Sequence, residues 1–251
     1  MQVNLLSRHI ASAALWLLAG MGGLQAQTLT GYTEQWPPYN FEESGEVKGI
    51  ASDVLRAVCA DAKLICKLNL VPWARAYKIV SNLPDTVLFT TARKASREKE
   101  FLWVGPLLPR STWVYVKTAP DKGGVANREI SQLRFGIVRD EAARQDLIQA
   151  GVPASAMIED SSNAAVLRLL LADAVDAMVD TEVGMAWSLR SANLTSGAVT
   201  KASKLSEDGA YYFALNLQTD PAVVQRMQAS LDKLRRSGRL EAITRQYSSG
   251  L

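Results

Sequence analysis

The sequence predicts an α/β fold with two halves, each containing a mostly parallel β-sheet flanked by helices. Short strand-like segments alternate with helical segments along almost the whole chain, which is the pattern of βαβ units. The alternation stops at residues 119–127, where Pro, Asp and two Gly are typical of a linker, and then resumes. Two halves fit the 225 residues that follow residue 26 better than one continuous sheet does.

The first series contains three predicted strands and two predicted helices. The strands are residues 28–33, 64–71 and 86–90. One helix begins at Ser52, and the other carries Trp73 and Tyr77 one turn apart, because apolar residues there recur every three or four positions.

The second series follows the same alternation. Its predicted strands are residues 135–138, 175–179 and 211–217, and its first helices are residues 141–149 and 164–171. Asp220 and Pro221 begin a further helix, since a capping residue followed by proline is typical of a helix start. Gly238 ends that helix, and a last helix follows.

Residues 1–26 have the layout of a secretory signal peptide. Arg8 precedes the apolar run 10–19, and small residues lead to a predicted cleavage site after Ala26. The alternative is a membrane anchor, but the run is too short to span a bilayer stably. We therefore expect a periplasmic protein. No cysteine lies near the predicted cleavage site, so nothing there indicates a lipid anchor.

Composition excludes several classes of function. Removal of Arg8 lowers the formal charge from +3 to +2, which argues against a nucleic-acid partner. The only histidine, His9, leaves with the signal peptide, so His-based catalytic and metal sites are excluded. The chain after residue 26 contains no phosphate-binding sequence motif. We expect no metal and no cofactor, and binding is favoured over catalysis.

Two motifs resemble those of a known family. Residues 36–41 read Trp-Pro-Pro-Tyr-Asn-Phe after a predicted strand, and an acidic turn then leads into a helix. Residues 90–97 place two threonines and two arginines before an apolar strand that ends at Pro106. Both motifs resemble the ligand-binding segments of bacterial extracellular solute-binding proteins of family 3, the polar amino acid binders of the periplasm.

The resemblance covers essentially all of the chain after residue 26 and implies the two-lobed, type 2 periplasmic binding protein fold. In that fold, lobe 1 takes both ends of the chain and lobe 2 is inserted between two crossover strands. We therefore expect lobe 1 at residues 27–112 and 208–251 and lobe 2 at residues 113–207. The crossovers are expected near residues 112–117 and 208–213.

The resemblance implies that Trp36 stacks on the ligand side chain, although a tryptophan there can also anchor a core. Prolines hold its loop rigidly, which favours a wall of the cleft, with Tyr39 in a structural role. Trp73 follows a strand end, where ligands of open α/β sheets bind, and is predicted to form the opposing wall. Arg75 faces either the cleft or solvent.

Arg97 matches the family arginine that grips the ligand α-carboxylate. A planar guanidinium suits this task, since it donates two parallel hydrogen bonds to one carboxylate. Arg93, one helical turn earlier, is a rival, and both can instead be surface charges. The hydroxyl of Thr91 belongs to the same predicted ligand segment.

Lobe 2 departs from the family pattern. Asp140 and Glu141 stand where amino acid binders have Gly and hydroxyl residues, and we expect them to cap the following helix and compensate its dipole. After the predicted strand 175–179, Asp180 matches by residue type the family aspartate that holds the ligand ammonium. Thr181 matches it by ungapped count.

The two cysteines, Cys59 and Cys66, are expected to form a disulfide in an oxidising compartment, the alternative being two buried thiols. The same spacing, in the same helix-to-strand position, occurs as a disulfide in some periplasmic histidine and lysine/arginine/ornithine binders.

The resemblance thus implies a monomeric periplasmic protein that closes two lobes on a small polar solute. An amino acid or related amine-bearing ligand is favoured by the two tryptophans and the acidic start of the lobe 2 helix. Its partner is expected to be an inner-membrane ABC permease or a receptor. One alternative is a dehydratase-like periplasmic enzyme, which would need Glu141, Asp180 or Glu182 as an acid or base. The other is a soluble sensory subunit.

Overall fold

The computed structural model describes residues 27–118, 128–207 and 209–248. The strands in this part of the chain are β1 (Thr28–Thr33), β2 (Phe41–Glu43), β3 (Glu46–Lys48), β4 (Ile65–Leu70), β5 (Thr86–Ala92), β6 (Leu102–Pro109), β7 (Thr112–Lys117), β8 (Phe135–Val138), β9 (Met157–Asp160), β10 (Ala177–Asp180), β11 (Val199–Ser206) and β12 (Ala210–Leu215). The helices are α1 (Ile50–Asp61), α2 (Trp73–Asn82), α3 (Ala143–Gln149), α4 (Asn163–Leu171), α5 (Glu182–Ser191), α6 (Pro221–Arg236) and α7 (Arg239–Ser248). The predicted signal peptide, 1–26, and the predicted linker, 119–127, lie outside the described residues.

Two five-stranded sheets share one arrangement. The first has the order β4-β1-β5-β12-β6, and the second has the order β9-β8-β10-β7-β11. In each sheet, three neighbouring strands run parallel and the fourth, β12 or β7, is antiparallel to both of its neighbours. One strand in each sheet is therefore reversed, and the sheets are mixed. The predicted α/β class and the two sheet-and-helix lobes are confirmed.

The chain passes between the sheets twice. It leaves the first sheet after β6 and enters the second with β7, so the change of sheet falls at residues 110–111. It returns after β11 and re-enters the first sheet with β12. The first sheet thus contains strands from both ends of the chain. We call this sheet with α1, α2, α6 and α7 lobe 1, and the second sheet with α3, α4 and α5 lobe 2.

Burial explains why the central strands need no polar alternation. All seven residues of β5 are buried, since β5 lies in the middle of its sheet with helices on both faces.

Cys59 at the end of α1 is bonded to Cys66 in β4, and the bridge lies in the core that α1 forms with α6 and α7. The predicted disulfide is thus present in the structure.

Strand β6 continues to Pro109, beyond Pro106, where the family resemblance implied that it ends. A proline cannot donate a hydrogen bond to a sheet. Because β6 is an edge strand and its pairing with β12 shifts register here, the ladder tolerates the proline. The backbone of Gly105 instead bonds to the side-chain amide of Gln228, at 2.9 and 3.0 Å.

Among residues 27–118, 128–207 and 209–248, no helix combines the length and apolar composition that crossing a membrane requires.

Candidate functional site

A small cavity lies between the two lobes, where strand ends from both sheets meet. Its volume is about 20 Å³, and a cavity of that size has room for about one water molecule. Its lining residues are Glu34, Trp36, Trp73, Thr90, Ala92, Arg97, Arg110, Thr112, Glu141, Ala142, Ala143, Val179, Asp180 and Tyr211. Glu34 follows β1 and Asp180 ends β10, so the cavity lies at the strand carboxyl ends, where α/β sheets bind ligands.

Trp36 joins the lobes at one side of this cavity. Its indole N–H donates to Oδ1 of Asp180 over 3.2 Å. Its ring packs on Tyr39 at 4.4 Å between centroids and edge-on against Tyr211 at 5.4 Å. The side chain is only 5% exposed, so Trp36 both lines the cavity and anchors a small aromatic cluster. The sequence left open whether Trp36 is a wall of the cleft or a core anchor, and in the structure it is both.

The loop that carries Trp36 is fixed by polar contacts. The Asn40 side chain donates to the Glu34 carbonyl at 2.6 Å and accepts a hydrogen bond from the Thr90 hydroxyl. The Tyr39 hydroxyl donates across the cleft to Oγ1 of Thr181 at 3.2 Å. Burial raises the pKa of Tyr39 to about 12, so it remains a neutral hydrogen-bond donor at physiological pH.

Trp73 and Arg97 reach the same backbone carbonyl of lobe 2. The indole N–H of Trp73 donates to the Asp140 carbonyl at 3.0 Å, and the Arg97 guanidinium donates to it at 2.6 Å. Arg97 also lies over the rings of Trp73 and Tyr77, at 5.8 and 5.2 Å. It is 8% exposed, and burial lowers its pKa. No acidic side chain lies within hydrogen-bond distance of Arg97 among the described residues.

Three carboxyl groups line the cavity. Glu34 and Asp180 are buried, and Glu141 is partly exposed. Burial, with repulsion from Glu141 and Asp180, raises the pKa of Glu34 well above its ordinary range. Burial also raises the pKa of Asp180 to about 7, although the Thr181 N–H and the Trp36 indole oppose this shift. Two buried acids with raised pKa values, one from each lobe, therefore face the same cavity.

A fourth carboxylate clamps the lobes beside the cavity. Asp146, on α3, binds Lys94 of lobe 1 at 2.5 Å and also pairs with Arg110, where the chain crosses between sheets. Arg110 is 3% exposed. We call Lys94, Arg110 and Asp146 the interlobe clamp. Because Asp146 neutralises Arg110, this guanidinium is already paired when the lobes are together.

Lobe 2 presents Asp180 and Thr181 in different roles. Thr181 caps α5 by accepting from the Gly184 N–H at 3.0 Å, whereas Asp180 lines the cavity. A Cβ at Gly184 would lie 2.4 Å from Oδ1 of Asp180, so only glycine leaves space for the carboxylate in this position. Asp180, the match by residue type, thus lines the cavity, and Thr181, the match by ungapped count, caps α5.

Asp140 and Glu141 do not cap α3 as the sequence analysis expected. The helix begins at Ala143, and its first turn receives no side-chain capping bond. Asp140 adopts a left-handed backbone with φ of 60°, and Asn and Asp accept this conformation more readily than most residues. The turn directs the Asp140 carbonyl to Trp73 and Arg97, and Glu141 lines the cavity.

Three residues predicted for the site lie outside the cavity. Arg75 is exposed on α2, and Arg93 forms a surface ion pair with Glu98. Thr91 is buried in β5, where its hydroxyl donates to the Leu88 carbonyl at 3.1 Å. The neighbouring Thr90 lines the cavity instead, because successive side chains of a strand point to opposite faces. The structure thus brings together Trp36, Trp73, Arg97 and Asp180.

The sequence analysis did not predict several residues of the cavity lining, and three of them have large polar side chains: Glu34, Arg110 and Tyr211. Glu34 carried a usable signal, since a polar residue directly after a predicted strand lies at a strand carboxyl end. Arg110 and Tyr211 lie beside the two points where the chain changes sheet, which the sequence located only approximately. Among the described residues, no group of three or more His, Cys, Asp or Glu side chains is placed to hold a metal ion.

Solved structures with the same fold include binding proteins and a sensor. A histidine kinase sensor domain with similarity to periplasmic binding proteins aligns with a TM-score of 0.78 at 19% identity, covering 89% of this chain and 96% of that one. An ancestral arginine-binding protein bound to arginine gives 0.75 at 15% identity, covering 88% and 98%. The arginine-, lysine-, histidine-binding protein ArtJ from Geobacillus stearothermophilus gives 0.74 at 12% identity, covering 89% and 96%.

A search of curated protein sequences finds no significant match. A family model, by contrast, matches residues 29–250, nearly all of the chain after the predicted signal peptide. The strand arrangement, the cleft between two lobes and this match lead to one conclusion. The protein belongs to the bacterial extracellular solute-binding proteins, family 3.

Proposed function

We propose that this protein is a periplasmic receptor that captures a small amine-bearing polar solute, such as an amino acid, between its lobes. The observation that carries the proposal is the convergence of Trp36 and Arg97 from lobe 1 with Asp180 from lobe 2 on one cavity. A ligand that contacts both lobes stabilises their closed arrangement and thereby shifts an open–closed equilibrium.

Ligand entry requires the lobes to separate. The cavity of about 20 Å³ holds roughly one water molecule, far less than an amino acid needs. The polar groups facing it bond across the cleft, as in the pairs of Trp36 with Asp180 and of Arg97 with the Asp140 carbonyl. Opening would free these groups for a ligand, and closure on the ligand would replace the bonds.

The charge of the cavity favours an amine-bearing ligand. Glu34, Glu141 and Asp180 face it, whereas Arg97 is the cavity guanidinium without an acidic partner among the described residues. Arg97 suits the carboxylate of an amino acid, because its planar fork donates two parallel hydrogen bonds. The acidic groups suit one or more ammonium or guanidinium groups, and the indole of Trp36 is a favourable surface for a cation.

Titration calorimetry with L-arginine, L-lysine, L-glutamine, L-glutamate and putrescine tests this proposal. We expect the basic amino acids to bind more tightly than glutamate, and Asp180→Asn to weaken their binding. Asp173→Asn is the matched control, since Asp173 pairs with Lys117 on the surface. A preference for glutamate, or silence of the folded protein toward all five probes, would contradict the proposal.

The closed form would be read by a membrane partner, and the expected partner is an inner-membrane permease or a receptor. Delivery to a transporter is the first candidate, as is usual for solute-binding proteins. A sensory role is the second, and the fold shared with a histidine kinase sensor domain favours it. Reconstitution with the permease and the kinase encoded nearest to the gene distinguishes them, since only the true partner should respond to the liganded protein.

We propose no enzymatic activity. The buried carboxyl groups of Glu34 and Asp180 have the raised pKa values that a general acid requires. The ancestral amino-acid-binding protein AncCDT-1, a precursor of cyclohexadienyl dehydratase, shares the fold with a TM-score of 0.71 at 14% identity. Glu182, the third acid or base that an enzyme could use, is exposed, pairs with Lys201 and does not line the cavity. It is therefore not placed to act on a molecule bound there. Turnover of a cyclic hydroxy acid that is lost in Asp180→Asn would support the enzyme instead.

A further inference from the structure

A groove of about 630 Å³ lies beside the interlobe cavity and shares no lining residue with it. Its volume is within the range of about 300–1,000 Å³ that is usual for small-molecule sites. Helices α4 and α5 of lobe 2 form its walls, and β2 with the loop before it closes the groove from lobe 1. Trp36 of that loop lines the cavity, whereas its neighbours Gln35 and Pro37 line the groove. We call this second space the α4–α5 groove.

The walls of the groove are mainly apolar, with an aromatic pair where the lobes meet. One face of α4, with the three- and four-residue spacing of a helix face, lines it with Ala164, Leu167, Arg168 and Leu171. The Trp187 ring of α5 lies 5.2 Å from the Phe41 ring of lobe 1, centroid to centroid, at 44°. Phe41 is buried and Trp187 is partly exposed, so an aromatic surface remains open to a ligand in the groove.

The beginning of α4 gives the groove a polar end. Ser162 caps the helix by accepting from the Ala165 N–H at 3.3 Å. Asn163 lines the groove and is 5% exposed, and its Nδ2 atom has no hydrogen-bond partner in the part of the chain that the structure describes. A buried donor without an acceptor is costly, and the free N–H groups of a helix N-terminus attract anions. Both features point to an acidic acceptor that a ligand supplies.

The charged side chains of the groove agree with an anion at the α4 end. They are Arg168 from lobe 2 and Glu42 and Glu43 from lobe 1. Glu43 is paired with Lys48 at 2.8 Å, and Glu42 is exposed, where salt screens its charge. Arg168 has no acidic partner among the described residues. Because side chains of a helix tilt toward its N-terminus, the charge of Arg168 favours an anion near Asn163.

We propose that the α4–α5 groove is a second ligand site, which takes a small molecule with an aromatic ring and a carboxylate. The ring packs on Trp187 and Phe41. The carboxylate accepts from Asn163 at the start of α4, and Arg168 balances its charge. Because both lobes contribute to the groove, its ligand favours the closed arrangement and strengthens solute binding in the cavity. Only this coupling rests on the proposed function, and the second site stands apart from it.

Calorimetric titration with phenylacetate, phenylacetamide and cyclohexylacetate tests the ligand class. We expect phenylacetate to bind with a dissociation constant on the order of 1 mM or below, as is usual for so few atoms. Phenylacetamide lacks the charge and cyclohexylacetate lacks the aromatic ring, so each should bind about threefold more weakly or worse. Equal binding of either analogue would contradict the proposed class, and no binding of phenylacetate at about 10 mM would overturn the site.

Two variants assign the binding to the groove. Asn163→Asp is nearly isosteric and suits a helix N-terminus, but its carboxylate should repel the ligand and lower phenylacetate affinity by about tenfold. Arg168→Gln should lower it by about threefold, as expected for an exposed charge. Arg139→Gln, at a surface pair with Glu159 outside the groove, is the matched control. All three variants should bind L-arginine as the wild type does. Unchanged phenylacetate affinity in both Asn163→Asp and Arg168→Gln would overturn the assignment to the groove.

Titrations of L-arginine with and without saturating phenylacetate test the coupling. We expect L-arginine to bind about fivefold more tightly in its presence, and phenylacetate to gain the same factor in saturating L-arginine, because coupling is reciprocal. An unchanged arginine affinity would overturn the coupling and leave the second site standing. Weaker arginine binding would show that phenylacetate competes for the cavity, which would overturn the second site. If no solute binds the cavity, the proposed function fails, whereas phenylacetate alone still decides the groove.

Discussion

The indole N–H of Trp36 donates to Oδ1 of Asp180 over 3.2 Å, across the boundary between the two lobes. The two residues are 144 positions apart in the chain, so only closure of the lobes brings them into contact. The bond joins an aromatic wall to a buried acid, the two features expected of an amine-binding cleft. Tyr39 and Thr181 repeat the link beside it at 3.2 Å.

Trp36→Ala should lower both stability and ligand affinity. The ring is buried against Tyr39 and Tyr211, and deletion of a buried tryptophan side chain costs about 3–5 kcal/mol. Trp36→Phe keeps most of the packing and removes the bond to Asp180, so it should cost less stability. Urea denaturation and arginine titration of both variants check this. A loss of affinity with an unchanged free energy of unfolding in Trp36→Ala would mean that the ring does not support the fold.

Arg97→Ala should weaken ligand binding far more than Arg93→Ala. In the proposed binding mode Arg97 meets a ligand carboxylate, and truncating such a buried charge costs about 2–5 kcal/mol. Arg93 and Glu98 form an exposed pair, and such pairs contribute about 0–1 kcal/mol. Calorimetry with L-arginine measures the difference. Arg97→Lys, which keeps the charge without the planar fork, should be intermediate, and equal small losses in Arg97→Ala and Arg93→Ala would contradict the assignment.

Reduction of the Cys59–Cys66 disulfide should lower stability and leave ligand affinity unchanged. The loop that it closes spans seven positions, and the loop-entropy estimate for so short a loop is about 2–3 kcal/mol. The bridge joins α1 to β4 in the lobe 1 core, away from the cavity residues. Thermal melts and arginine titrations with and without a reductant test both parts. A marked loss of affinity on reduction would show that the bridge supports the cleft.

Stability should depend on pH through Asp180. Its folded pKa of about 7 lies above the value of about 3.9 in an unfolded chain, so the folded state binds this proton more tightly. The contribution of the bound proton to stability is fully present below about pH 4 and is lost as pH rises toward 7, at up to about 1.4 kcal/mol per pH unit. Other carboxylates act in the opposite direction at low pH.

The measurement is therefore the difference in melting temperature between the wild type and Asp180→Asn. The variant should gain relative stability as pH rises from 4 to 7, and the difference should level off above that. Asp173→Asn, at an exposed pair with Lys117, should show no such trend. A constant difference between the wild type and Asp180→Asn would mean that Asp180 titrates normally.

The interlobe clamp should respond unequally to substitution. Asp146→Asn removes the acidic partner of Arg110, which is 3% exposed, and an unpaired buried charge costs about 3–5 kcal/mol. Lys94→Met removes a partner whose side chain is 18% exposed, so its loss should cost less, about 1 kcal/mol. Urea denaturation of both variants measures the two losses in the free energy of unfolding. Equal losses would show that Arg110 finds another acceptor.

The sequence by itself determined the α/β class and the family resemblance, and it predicted four of the residues that line the cavity. Alternating helical and strand periodicity placed β1 and the core of β5, because these patterns depend on which face of a local segment is buried. The Pro-Pro loop indicated Trp36, and the resemblance indicated Arg97 and Asp180. The Cys59–Cys66 pairing was expected from the oxidising compartment and from the same spacing in related binders. Each of these conclusions rests on a short stretch of chain.

Only the tertiary structure decided which side chains share the cavity. Thr90 lines the cavity in place of the predicted Thr91, because the two side chains point to opposite faces of β5. The turn at Asp140 directs its backbone carbonyl to Arg97, whereas the sequence predicted that the Asp140 carboxylate caps a helix. Glu34 became a site residue because β1 ends opposite β10 of the other lobe. These contacts join residues far apart in the chain, 43 positions for Arg97 and Asp140 and 144 positions for Trp36 and Asp180, and no local pattern encodes that proximity.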